Sequence, residues 1–157
     1  MTGDATPTGT AARDAIELAI EYPHPPARVW RALTESAALA RWLMPNDFSP
    51  RLGHEFTFRV EKAEGWSGVV HCRVVALEEP RLVAYTWSGG PPLPETLVTF
   101  TLEPSASGTR LRLVHSGFDA GGPPALSVRD ILASGWGSTL LRERLPALLD
   151  ALRDGEE

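Results

Sequence analysis

The segment LSVRDILASGWGSTLLRERLPALLDAL, residues 126–152, decides the fold. Val128, Ile131, Leu132, Trp136, Leu140, Leu145, Leu148, Leu149 and Leu152 recur at spacings of three and four. That rhythm gathers apolar side chains on one face of a helix. Gly135 and Gly137 fall inside it, each costing about 1 kcal/mol relative to alanine. Small residues there allow a sheet or a ligand to approach closely. Pro146 has no N–H to offer the carbonyl of Arg142, which predicts a kink or break near residues 142–146. A terminal helix with so broad an apolar face has to cover something.

What it covers is read from the strands ahead of it. Glu55 to Glu61 sets Phe56, Phe58 and Val60 at one parity, and Ser67 to Leu77 reads as a long strand. Arg81 to Trp87 aligns Val83, Tyr85 and Trp87 on one face. Thr96 to Leu102 aligns Val98, Phe100 and Leu102, and Thr109 to His115 aligns Leu111, Leu113 and His115. The breaks are Lys62–Gly65, Glu78–Pro80, Ser88–Pro92 and Pro104–Ser105–Ala106–Ser107–Gly108, with a flexible loop over Gly117 to Pro124. Strands so spaced and so joined predict an antiparallel meander.

At the front, Ala15 to Tyr22 alternates apolar and polar, a half-buried strand ended by Pro23, Pro25 and Pro26. Proline is tolerated in the first turn of a helix. A helix from about Pro26 to Thr34 would then bury Val29, Trp30 and Leu33. A second, from Ala37 to Leu43, would have Ser36 as N-cap and Leu39, Trp42 and Leu43 on one side. The order is strand, two short helices, about five strands, long helix. The expected fold is therefore α+β, a helix grip: a curved antiparallel sheet of about six strands wrapped around a long C-terminal helix. The two short helices close one end.

The 157 residues suit one domain, taken as residues 14–153 behind a loose tail over residues 1–13 rich in Thr, Gly, Ala and Pro. A net charge of −5, with Lys62 the only lysine, argues against a nucleic-acid partner, which needs a basic face. Cys72 is the only cysteine, so no intrachain disulfide can form and a reducing cytoplasm is expected. The start lacks a signal-peptide pattern. No run approaches the roughly 18 apolar residues of a membrane span. His24, His54, His71 and His115 lack metal-ligand spacing, and neither a phosphate loop nor a G-x-S-x-G elbow occurs, so no metal and no cofactor are expected.

Several motifs carry a family resemblance. Pro26-Ala27-Arg28-Val29-Trp30-Arg31-Ala32-Leu33-Thr34 resembles the P-x-x-V-W-x-A-L-T opening of the family of homologues of the activator of heat-shock-protein-90 ATPase, a branch of the START/polyketide-cyclase (SRPBCC) superfamily. The likeness continues through Leu39-Ala40-Arg41-Trp42, Pro80 to Trp87, Val98 to Leu102, Gly108 to Leu111, His115-Ser116-Gly117-Phe118 and Gly135-Trp136. It spans Ala15 to Leu152. Members hold lipids, hormones, polyketides or antibiotics in a hollow between sheet and helix, and some are cyclases. The name comes from a co-chaperone with an additional N-terminal chaperone-binding domain; this chain has a 13-residue tail in its place, so a chaperone partner is not expected.

The resemblance implies a hollow, and the residues expected around it are Trp42, Phe56, Phe58, Tyr85, Trp87, Phe100, His115, Phe118, Trp136 and Leu140. The plain alternative is that these aromatics are core, while Trp30 is read as helix–sheet packing. Tyr85 and the indoles of Trp42, Trp87 and Trp136 need partners if buried, and a ligand carbonyl or hydroxyl would serve. His115 shares the inward parity, and a neutral imidazole can act as acid or base; its alternative is a strand-end histidine bonded to backbone or water. Asp119 and Arg129 flank the loop over the mouth and read as solvated surface. The leading expectation is a non-enzymatic binder of an apolar or aromatic small molecule. A cyclase or aromatase, catalysing by positioning with His115 and Tyr85, and a protein-interaction module stay open beside it, as does a homodimer.

Overall fold

A computed structural model of the chain describes residues 15–59, 68–89, 95–118 and 132–155. Six antiparallel strands form one sheet: β1 Ile16–Tyr22, β2 Glu55–Arg59, β3 Val69–Glu78, β4 Leu82–Trp87, β5 Thr96–Pro104 and β6 Thr109–Ser116. Their order is β1-β6-β5-β4-β3-β2. Helices α1 Pro26–Thr34 and α2 Ser36–Trp42 carry the chain from one edge strand to the other. The last helical stretch has two windings, α3 Gly135–Arg144 with π-type turns and α4 Leu145–Gly155 with ordinary α turns. The helix-grip α+β fold expected from the sequence is present. The tail, the turn at residues 62–65, most of the loop after Gly117, Val60, Asp119, Val128, Arg129 and Ile131 lie outside the described residues.

Strand parity follows the alternation of apolar residues. Val83, Tyr85 and Trp87 of β4, Val98 and Phe100 of β5, Leu111, Leu113 and His115 of β6, and Phe56 and Phe58 of β2 are all buried. The register sets Trp87 opposite Thr96, Tyr85 opposite Val98 and Val98 opposite His115, so the middle of the inner face is aromatic. A register shift between Val74 and Ala76 interrupts the β3–β4 pairing, and such bulges bend a sheet. Pro26 opens α1 as the first helical residue, and the N–H groups of Arg28 and Val29 reach the Pro25 carbonyl. Trp30 is buried core, as its place in α1 implies.

Ser36 departs from expectation. It is the first residue of α2 rather than its cap, and Glu35 in extended conformation takes the cap position without a side-chain bond. The Ser36 hydroxyl faces Asn46 instead, 2.9 Å from Oδ1 and 3.0 Å from the carbonyl. The Asn46 amide returns a bond to the Ser36 carbonyl at 3.2 Å and Asn46 Oδ1 accepts the Phe48 N–H at 3.0 Å. A hydroxyl that tethers the α2–β2 connection cannot also cap the helix.

The break foreseen at Pro146 takes the form of a change of winding. In an α-helix the missing N–H of Pro146 would leave the Arg142 carbonyl without a donor. In α3 the hydrogen-bond step is five, and the Leu145 N–H bonds to the Leu140 carbonyl. The same step assigns the missing Pro146 donor to the Leu141 carbonyl. That carbonyl accepts the buried Tyr22 hydroxyl at 2.6 Å. The five-residue step also turns Leu141, fully buried, onto the core side where the three-and-four rhythm placed Leu140; Leu140 is only partly buried. Gly137 faces Leu18 of β1, where an added methyl would meet the Leu18 side chain at an ordinary 3.8 Å.

Candidate functional site

The inward faces of β2, β4, β5 and β6, together with α2 and α3, bring one connected set of rings together. Phe58 lies 5.5 Å from Trp87, Trp87 5.8 Å from Trp136, and Trp136 5.9 Å from Phe100, centroid to centroid. Phe100 meets Trp42 edge-on at 6.3 Å. Tyr85 stands among Phe56 at 5.2 Å, Phe58 at 6.0 Å and Phe100 at 6.3 Å. His115 joins through Trp87 at 5.4 Å and Phe118 at 4.7 Å. Nine of the ten residues expected from the sequence, all but Leu140, therefore form a single network. An aromatic ring removes about 150–250 Å² from water, an upper bound of about 4–6 kcal/mol each at 25 cal/mol per Å². The edge-to-face geometry adds only about 0.5–1.5 kcal/mol per pair, so burial dominates.

Sequence reasoning missed one ring. Phe48 packs edge-on against Phe56 at 5.0 Å and against Tyr85 at 6.2 Å. It sits in the irregular α2–β2 connection, where no periodicity marks it. Asp47 beside it accepts the Thr57 N–H at 2.7 Å, and that bond holds its carboxyl below the usual range. His54 stacks on Phe56 at the margin of the set, 6.0 Å away.

His115 is buried with both nitrogens engaged. The Trp136 indole can only donate, and it donates to Nδ1 at 3.2 Å. The proton of the neutral ring must then lie on Nε2, which donates to Thr96 Oγ1 at 2.8 Å. Thr96 donates onward to the Trp87 carbonyl at 3.0 Å. The chain Trp136–His115–Thr96–Trp87 is thus directionally complete. Burial lowers the pKa of His115 to about 3, so it stays neutral at ordinary pH. With both nitrogens bonded, His115 ties the Trp136 indole to Thr96.

Several other buried polar groups are likewise satisfied within the protein. The Trp42 indole donates to the Ala32 carbonyl at 2.8 Å, and Thr109 to the His24 carbonyl at 2.7 Å. The His24 ring is buried too: the Arg28 guanidinium, which only donates, meets its Nδ1 at 3.2 Å, so its Nε2–H donates to Asp150 on α4 at 3.0 Å. His71 lies on the exposed face of β3 and its backbone pairs with Ser88.

Tyr85 is the exception. Among the described residues its hydroxyl is the one buried side-chain polar atom without a hydrogen-bond partner. Burial, and secondarily the Cys72 thiol, push it well above the ordinary tyrosine range, so it stays protonated and able to donate. An unsatisfied buried hydroxyl costs about 1–3 kcal/mol. Burial of the ring outweighs that, so the fold tolerates the orphan.

Among the described residues no group of three or more His, Cys, Asp or Glu side chains is placed to hold a metal ion, and no helix is long and apolar enough to cross a membrane.

Residues 23–150 match the family of Activator of Hsp90 ATPase homolog 1-like proteins. Among solved structures, protein MLL2253 from Mesorhizobium loti is 35% identical over 87% of this chain and 97% of its own, with a TM-score of 0.76. Protein BH1534 from Bacillus halodurans is 27% identical over 86% of this chain and 96% of its own, with a TM-score of 0.70. DynU16, a protein of the dynemicin biosynthetic locus, shares the fold at 23% identity and a TM-score of 0.69 over 87% of this chain; the chain spans 47% of its length. No protein of curated function matches.

Proposed function

We propose that this chain, which belongs to the Activator of Hsp90 ATPase homolog 1-like family, binds an apolar or aromatic small molecule between its sheet and its C-terminal helix. The observation that carries the reading is the ring network itself. Aliphatic side chains would fill a sheet–helix interface as well, yet here the middle of the inner face is Phe56, Phe58, Tyr85, Trp87 and Phe100 under Trp136. Rings present flat, polarisable surfaces that suit planar apolar ligands. The fold supports the reading as one that houses ligands, and the likeness to a protein of the dynemicin locus agrees with it at the level of fold. Both nitrogens of His115 are bonded within the protein, which favours binding, or catalysis by positioning, over acid–base work by His115.

The test is a thermal-shift screen of the purified protein against fatty acids, steroids and polycyclic aromatics. A ligand at 100 times its Kd stabilises the folded state by about 2.7 kcal/mol. For a domain of this size that is a rise of roughly 5–10 °C. The expected result is a rise confined to one chemical class and reduced by Trp136→Phe. A flat response to every class counts against the reading.

A further inference from the structure

We propose that the Tyr85 hydroxyl is the polar anchor of this site, selecting planar aromatic ligands that carry a hydrogen-bond acceptor such as a ring ketone. The inference rests on the small-molecule reading above and goes beyond it by naming the selecting atom and the ligand chemistry. Trp42, Trp136, Tyr22, Thr96, Thr109 and His115 all find partners inside the protein. Tyr85, fully buried, does not. Native proteins leave few buried donors unpaired, and those they keep call for an explanation. Phenylalanine would fill the same position without the orphan.

The surroundings of the hydroxyl narrow the ligand. Phe48, Phe56, Phe58 and Phe100 stand around the Tyr85 ring. These are flat apolar rings packed around one donor, and a flat apolar molecule with one acceptor matches their chemistry. A carboxylate ligand is disfavoured, because its charge would be buried opposite a neutral donor with no cation among these rings.

The probes are 9-fluorenone and fluorene, rigid molecules of one shape that differ by a carbonyl oxygen. Their binding is followed by quenching of tryptophan fluorescence, in the wild-type chain and in Tyr85→Phe. The wild type is expected to prefer fluorenone by about tenfold, the worth of one hydrogen bond. Tyr85→Phe is expected to abolish that preference by weakening fluorenone while leaving fluorene unchanged. Without ligand, Tyr85→Phe is expected to melt about 2–12 °C higher, because it removes an unpaired donor that costs about 1–3 kcal/mol. Equal binding of the two probes to the wild type overturns the anchor and leaves the small-molecule reading standing. Retention of the preference in Tyr85→Phe has the same consequence. A lower melting temperature for ligand-free Tyr85→Phe means the hydroxyl already holds a partner, such as a buried water, and also overturns the anchor. Failure of both probes to bind the wild type counts against the small-molecule reading and the anchor together.

Discussion

Tyr22→Phe tests the account of the wide helix most directly. The substitution removes one oxygen and leaves the buried Leu141 carbonyl without its 2.6 Å donor. The helix cannot supply a replacement at the five-residue step, because the residue in that position is Pro146. An unsatisfied buried acceptor costs about 1–3 kcal/mol, or a fall in Tm of about 2–12 °C for a domain of this size. The mechanism is isolated by Pro146→Ala, which restores an N–H. Whether the helix stays wide or relaxes to α winding, the Leu141 carbonyl then has a backbone donor, so Tyr22→Phe should lose most of its effect. Pro146→Ala alone is not diagnostic, since the gained N–H is set against about 0.4–1 kcal/mol of added unfolded-state freedom. Four proteins measured by urea unfolding with tryptophan fluorescence close the cycle. A coupling of about 1 kcal/mol between the two sites is expected. Additivity within about 0.3–0.5 kcal/mol would refute the claim that Tyr22 serves the carbonyl that Pro146 cannot.

Two further outcomes follow from the His115 chain. Its folded-state pKa of about 3 lies below the ordinary value of 6.5, so between these values the unfolded chain binds more protons. Stability should fall as pH drops below 6.5, by up to about 1.4 kcal/mol per unit, with no contribution above it. In urea titrations at pH 7 and pH 5 the wild type should lose about 2 kcal/mol more than His115→Gln; identical losses would refute the neutral buried ring. Thr96→Val keeps the side-chain shape but strips partners from His115 Nε2 and the Trp87 carbonyl. It should cost about 2–4 kcal/mol and Thr96→Ser should recover most of it, as read by thermal melts; a neutral Thr96→Val would show that the chain does not hold the site together.

Strand parity was legible because burial on one side of a pleated strand imposes a period of two, and Tyr85, Trp87, Phe100 and His115 each obey it. Helix α1 was legible because Pro26 and the Val29–Trp30–Leu33 stripe leave little choice. The C-terminal helix was legible as a helix, but not in its winding. A three-and-four rhythm assumes α turns throughout, and α3 departs from them beside a proline whose missing donor is made good by Tyr22, 119 residues before the Leu141 carbonyl it serves. That error moved the inward position from Leu141 to Leu140. Phe48 was invisible for a different reason: it is held by Asn46 and Asp47 bonds within a connection that has no period to read.

Satisfaction of buried polar groups is the property that sequence conveys least, and it is the one on which the candidate site turns. Tyr22 and Tyr85 are the same residue, both on the inward parity of a strand, both buried with the hydroxyl held protonated. One finds an acceptor because π winding and Pro146 free a carbonyl above it. The other stands among rings that have nothing to accept with. No local pattern separates the two, since the difference lies in what the far end of the chain lays across the sheet. Identical Tyr→Phe changes should therefore move stability in opposite directions, down at residue 22 and up at residue 85. A rise at residue 85 would mean that the hydroxyl is kept at a cost to stability, which is what the proposed anchor role requires.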